Sequence, residues 1–273
     1  MPTLVSGKLE LRPRDIHLWI THPSQIQDAG LLARYADLLT GDEKQKQQRY
    51  MFEKDRHDAL VTRAFVRDLL SAYATIEPAD WRMDIGPKGK PELLNPPITL
   101  RFNLSHTRGL IICAVTLKDD IGCDVEAAGR SSDILSIADH YFSAREVEEL
   151  FSLPEQAQRS RFFDYWTLKE SYIKACGLGL FAIPLADFSF HIGCAASAVM
   201  NDNVKLSFAP RIHDDPALWS SWIFYPSEDH RIAISTKRTP QDAGNDKHPP
   251  TYTIRLFESI PLSCRRELDC KFR

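Results

Sequence analysis

Apolar residues recur along the chain with two different periods, and the changes of period divide it into two stretches of similar plan. Ile16, Leu18 and Ile20 alternate with other residues, which predicts a short strand, and Leu31 to Leu39 then predicts a helix ending near Gly41. From Asp42 to about Tyr73 the pattern predicts one long helix. Val61, Phe65 and Leu69 recur every four residues there, with Val66 and Leu70 beside them, as a single buried stripe. Its other faces carry Lys44, Lys46, Arg49, Arg56, His57, Arg63 and Arg67. Two strands follow: Trp81, Met83 and Ile85 alternate before the turn Gly86-Pro87-Lys88-Gly89, and Ile98, Leu100, Phe102 and Leu104 alternate before Ser105-His106. Leu110 to Leu117 is a continuous apolar run suited to a central strand, and Lys118-Asp119-Asp120 breaks it, which sets a domain boundary there.

The second stretch reopens with Ile121, Cys123 and Val125 alternating against Gly122, Asp124 and Glu126. Ser143 and Glu146 predict a capping box for one helix, and a second helix runs from Pro154 to Cys176, where Gly177 supplies the stop. Further strands are predicted at Asp187 to Ile192, Val204 to Phe208, Ser221 to Tyr225 and Arg231 to Thr236. Each half thus opens with a strand, adds helices and finishes with strands. This predicts an α+β chain of two related subdomains facing one another, 1–118 and 119–238, without a residue-level repeat. A linker-like stretch lies between Lys237 and Pro250, inside a C-terminal extension, 239–273. Tyr252, Ile254 and Leu256 predict one more strand, while the basic segment Cys264 to Arg273 has no readable pattern.

Composition narrows the function classes. The 273 residues are 43% hydrophobic, enough for one large or two modest cores, and 34 Lys and Arg against 37 Asp and Glu leave a formal charge of only −3. That balance carries no signature of nucleic-acid binding, so any anion site must be local. The six cysteines form no C-x-x-C pair and four sit in apolar or helical stretches, as reduced thiols do. The N-terminal segment lacks a basic-then-apolar signal pattern, and no run approaches the ~18 apolar residues of a membrane helix. A cytoplasmic protein without membrane attachment is expected.

Three constellations carry candidate chemistry. A period of two puts Asp124 and Glu126 on one strand face. Carboxylates so placed repel unless a cation or proton joins them, and oxygen ligands suit Mg²⁺ or Mn²⁺ rather than Zn²⁺; two solvated acids on an exposed strand are the plainer alternative. In the second helix Phe162, Trp166 and Ile173 share an anchoring face, and Glu170 and Lys174 lie one turn apart on another. Such a pair is either part of a site or a solvated ion pair of ~0.3–0.5 kcal/mol. Ser105 and His106, as strand neighbours, point to opposite faces, so a hydrolase dyad is rejected; they begin a turn or offer donors to a phosphate.

In order, Gly89-Lys90-Pro91, Asn103-Leu104-Ser105-His106, Gly122-Cys123-Asp124-Val125-Glu126 and Trp166-x-x-Lys169-Glu170-x-x-x-Lys174 resemble the Sfp-type 4′-phosphopantetheinyl transferase family. Phe142-Ser143 and Gly177-Leu178-Gly179-Leu180 also stand in their usual places. The resemblance implies the 4′-phosphopantetheinyl transferase fold, pseudo-symmetric halves with the active site in the cleft between them. It also implies transfer of the phosphopantetheine arm of coenzyme A to a serine of an apo acyl or peptidyl carrier protein, releasing adenosine 3′,5′-bisphosphate. Asp124, Glu126 and Glu170 would hold Mg²⁺, and Glu170 or a metal-bound water would accept the serine proton. Lys174 would contact the pyrophosphate, and Lys90, Ser105 and His106 would hold phosphates of the nucleotide end. Lys46, Arg63 and Arg67 are either ligands for the 3′-phosphate or a solvated face. A monomer is expected. The carrier would serve fatty-acid, polyketide, polyunsaturated-lipid or nonribosomal-peptide synthesis. The competing readings are a noncatalytic coenzyme A or carrier-binding module and a metal-dependent phosphohydrolase, and product analysis separates them.

Overall fold

The computed structural model describes residues 3–269 apart from 87–88, 95, 130–134, 178–182, 196 and 240–250. The motif residues Leu178, Gly179 and Leu180, the turn residues Pro87 and Lys88, and most of the linker-like stretch therefore lie outside the described residues. In chain order the strands are β1 (Thr3–Leu4), β2 (Asp15–Thr21), β3 (Met83–Ile85), β4 (Pro91–Leu93), β5 (Leu100–Thr107), β6 (Leu110–Leu117) and β7 (Asp120–Ala127). They continue as β8 (Phe188–Ile192), β9 (Met200–Asn201), β10 (Val204–Phe208), β11 (Trp219–Ser227), β12 (His230–Lys237), β13 (Thr253–Ile260) and β14 (Cys264–Leu268). The helices are α1 (Ala29–Leu38), α2 (Gly41–Gln48), α3 (Glu53–Leu70), α4 (Ala138–Tyr141), α5 (Ala144–Ser152) and α6 (Glu155–Ala175).

The one long helix expected from Asp42 to Tyr73 is two. Thr40 accepts the Glu43 amide while Glu43 reaches back to the Thr40 amide, a capping box that starts α2. The break at 49–52 is fixed by Arg56, whose Nη1 donates to the carbonyls of Tyr50 (2.8 Å) and Met51 (3.0 Å). The second predicted capping box is formed at Ser143 and Glu146, and Gly177 ends α6 at φ +64°.

A six-stranded sheet runs β1-β14-β13-β2-β6-β5 and a four-stranded sheet runs β7-β12-β11-β9. The order β2-β6-β5 is repeated as β7-β12-β11, antiparallel throughout, with a long helix inside each repeat and a small sheet, β3-β4 or β8-β10, before its last hairpin. This is a mixed α+β fold in two similar halves. The segment expected as an extension joins the first sheet: β13 pairs parallel with β2, and β14, unreadable in the sequence, lies between β13 and β1.

Strand alternation sorts the residues into layers. Trp19, Cys113 and Val115 face α1 and α3 on the outer side of the first sheet. Ile16, Leu18, Ile112 and Ala114 face inward against Ile121, Cys123, Val125, Phe224 and Ile234 of the second sheet. The outer face of the second sheet is covered by α6, through Leu168, Tyr172 and Ile173. The two sheets are therefore packed face to face with helices outside. Among the described residues no helix is long and apolar enough to cross a membrane.

Candidate active site

The halves meet where β5 runs beside β7. Asn103 and Ser105 share a face of β5; Asn103 Oδ1 accepts the Cys123 amide at 2.9 Å, and the Val125 amide donates to Ser105 Oγ at 3.4 Å. These side chains take the place of a regular strand ladder. The other face of β7 is pressed by α6 because Gly122 has no side chain: a Cβ there would overlap the Ser171 carbonyl oxygen and the Ala175 amide. This contact brings Glu170 and Lys174 over Asp124, which lies two residues along the same strand face.

Glu170 and Lys174 are not a solvated pair. Helix α6 is buried nearly all round, with Glu170 only 6% exposed, and Asp124 facing it is 4% exposed. Lys174 Nζ donates to Asp124 Oδ1 at 2.6 Å and to Ser105 Oγ at 3.0 Å, and Ser105 donates in turn to Asp124 Oδ1 at 2.9 Å. Burial works against the charge on Lys174, but the Asp124 carboxylate outweighs it and raises its pKa. For Glu170, burial first and then the neighbouring Asp124, with Glu126 adding to it, push the carboxyl up to about 7, against the pull of Lys174.

Among the described residues no cluster of three His, Cys, Asp or Glu side chains is already closed into a metal-holding shape. The donor chemistry nevertheless suits a hard cation. Asp124 Oδ2 and Glu170 Oε1 are buried carboxylate oxygens without a hydrogen-bond partner, and Glu126 lies close enough to raise the Glu170 pKa.

Ser105 and His106 serve opposite sides of β5. His106 faces a groove of about 530 Å³ between α3 and the β5–β6 turn, lined also by Tyr50, Lys54, Arg63 and Arg108. Burial, and then Lys174, lower the His106 pKa. Of the three cations expected for the 3′-phosphate, Arg63 lines this groove, 3.8 Å from Glu43. Lys46 is exposed on α2 and is not part of the lining. Arg67 is not brought to the site: it is 2% exposed, with its guanidinium engaged by Glu43 at 2.9 Å and the Trp81 carbonyl at 2.7 Å. Lys90 donates to the carbonyls of Ile121 and Lys174, both at 3.0 Å, so in this structure it clamps β4 to both β7 and α6 rather than presenting a free ammonium. Sequence reasoning missed Asn103, Gly122 and Lys169 as the residues that assemble the site. All three stood inside the quoted motifs, without a local sign of what they contact.

Two family models match the chain, "4'-phosphopantetheinyl transferase superfamily" over residues 120–235 and "4'-phosphopantetheinyl transferase, N-terminal" over residues 24–118. The 4'-phosphopantetheinyl transferase HetI of Nostoc sp. is 37% identical over 178 residues, which span 63% of this chain and 73% of that protein. The chain belongs to the 4′-phosphopantetheinyl transferase family. Sfp of Bacillus subtilis is 31% identical over 58% of this chain and 69% of its own. The mouse L-aminoadipate-semialdehyde dehydrogenase-phosphopantetheinyl transferase is 32% identical over 51% and 48%. As a phosphopantetheinyl transferase the protein uses coenzyme A as substrate and transfers phosphopantetheine to apo carrier proteins.

Proposed function

We propose that the reaction is magnesium-dependent and runs at the β5–β7–α6 junction, with Asp124, Glu126 and Glu170 holding the ion and Glu170 and Lys174 acting on the reacting groups. The observation that carries this reading is the pair of buried, unpartnered carboxylate oxygens on Asp124 and Glu170. When bound, Mg²⁺ would neutralise the clustered carboxylates and the pyrophosphate charge.

The remaining steps belong to the chain's own residues. Lys174, held by Asp124 and Ser105, orients a cation toward the pyrophosphate of coenzyme A. The groove lined by His106 and Arg63 receives the nucleotide end, with Lys90 holding the walls of the junction together. The hydroxyl oxygen of the carrier serine bonds to the β-phosphorus, and the bond from that phosphorus to the bridging oxygen breaks. Adenosine 3′,5′-bisphosphate leaves, and the serine proton passes to the Glu170 carboxylate. Glu170 faces Asp124 at the junction with one carboxylate oxygen unpartnered, the position from which it can take that proton. The halves 1–118 and 119–238 form the two walls of the cleft in one polypeptide, so the working unit is a monomer.

The test is intact-mass measurement of apo carrier domains from fatty-acid, polyketide and nonribosomal-peptide synthesis after incubation with protein, coenzyme A and Mg²⁺. A gain of one phosphopantetheine is expected, lost on chelation, restored by Mg²⁺ and absent with Glu170→Gln. Full transfer by Glu170→Gln, or in excess chelator, would overturn the assignment. Sedimentation at working concentration tests the monomer.

A further inference from the structure

Seven large apolar side chains are left exposed among the described residues, and three of them are consecutive: Tyr50, Met51 and Phe52, at 43%, 80% and 63% exposure. They form the break between α2 and α3, which is not a slack loop. Arg56 donates to two of its carbonyls, and Gln47 Nε2 in turn donates to the Arg56 carbonyl at 2.9 Å. A braced backbone that holds methionine and phenylalanine in water leaves an unfavourable exposed surface unless something covers it.

We propose that this tip docks the carrier domain, through an apolar contact on Met51 and Phe52 and an acidic carrier surface against the cations around them. The proposal rests on the coenzyme A placement given above. Tyr50 and Lys54 line the same groove as His106 and Arg108, and His106 follows Ser105, which accepts from Lys174, so the tip stands on the rim of the groove assigned to the nucleotide, beside the reacting junction. On the α2 side of the tip Lys44, Lys46 and Arg49 are exposed, while on the α3 side Glu53, Asp55 and Asp58 stand with Lys54, and Arg63 and Arg108 lie farther along the groove. Asp58 offsets Lys54 at 3.5 Å, while Arg49 stands exposed beside the tip. The exposed cations on the α2 side, Lys44, Lys46 and Arg49, fit an acidic partner surface and would be set against each other by a second copy of this chain.

The test combines Met51→Ser/Phe52→Ser and, separately, Arg49→Glu, both on exposed positions, with melting temperature as the folding control. The expected result is a KM for apo-carrier raised about tenfold, with kcat and the Kd for coenzyme A unchanged. Arg49→Glu should also flatten the rise of that KM with salt. An unmoved carrier KM would overturn the proposal. So would a weakened coenzyme A Kd with carrier KM intact, which would make the tip a cover for the nucleotide. Loss of binding to phosphatidylserine vesicles with carrier KM intact would make it a membrane contact. Direct binding of apo-carrier without coenzyme A separates the two readings. A wild type that binds carrier more tightly than the variant supports the surface even where transfer fails, and equal binding sinks it.

Discussion

Lys169 Nζ lies 2.8 Å from Glu146 Oε2, and neither side chain reaches solvent. The ammonium also donates to the carbonyls of Leu185 (2.8 Å) and Phe188 (2.6 Å), and the other Glu146 oxygen accepts the Phe190 amide at 2.8 Å. The pair thus ties α6 to the start of α5 and to β8. Adjacent residues of one motif have separate tasks: Lys169 fixes the helix from behind, and Glu170 faces Asp124 in front. Replacing Lys169 by Met leaves the Glu146 charge buried and is expected to cost about 3–5 kcal/mol in denaturant unfolding. Adding Glu146→Gln to Lys169→Met should recover part of that loss.

Glu170→Gln should separate activity from stability. It removes a buried carboxylate that burial and Asp124 already disfavour, so the melting temperature should hold or rise above pH 7. Transfer should fall by about 10²–10⁴ or more in a single-turnover assay.

Gly122→Ala places a methyl group against the α6 backbone, which cannot yield as a side-chain end would. A loss of about 1–3 kcal/mol is expected, together with weaker coenzyme A binding as Lys174 moves off Asp124. Calorimetric titration and thermal unfolding check both.

Arg63 and Arg67, one helical turn apart on α3, should respond differently. Arg63→Ala is expected to raise the Kd for coenzyme A with the melting temperature nearly unchanged. Arg67→Ala strips Glu43 and the Trp81 carbonyl of their partner and should lower the melting temperature first.

Acid should weaken the first sheet through His17. Trp19 Nε1 can only donate, so it donates to the Tyr73 hydroxyl, which also pairs with His17 Nδ1 at 2.8 Å. Burial drops the His17 pKa from 6.5 to about 3. Below 6.5 the unfolded chain binds a proton that the folded one refuses. Stability should therefore fall by up to about 1.4 kcal/mol per pH unit from pH 6.5 down to about 3, and be level in this respect above 6.5. His17→Gln should flatten that window in pH-dependent unfolding.

Local pattern was enough to read the strand that carries Asp124 and Glu126, the Ser143 capping box and the stop at Gly177, because each depends on residues a few positions apart. The start of α2 was also written in Thr40 and Glu43, but the split between α2 and α3 was not, because it is fixed by Arg56 reaching back to the Tyr50 and Met51 carbonyls. What the pattern could not carry was partnership across the chain. Spacing pairs Lys174 with Glu170, whereas the contact at Gly122 turns it to Asp124. Arg67 looks like any helix-surface cation until Glu43 and Trp81 enclose it. The pairing of β14 with β1 joins residues at opposite ends of the sequence.

The parallel pairing of β2 with β13 also sets a schedule. On the ribosome, Asp15 emerges early and must wait until Thr253 is made before its neighbour exists, while the second sheet, from Asp120 to Lys237, is complete in the interval. During synthesis the later half can therefore settle before the earlier one is finished. A nascent chain stopped short of Thr253 would hold an intact second sheet beside a first sheet with an open edge, a species for chaperones to shield.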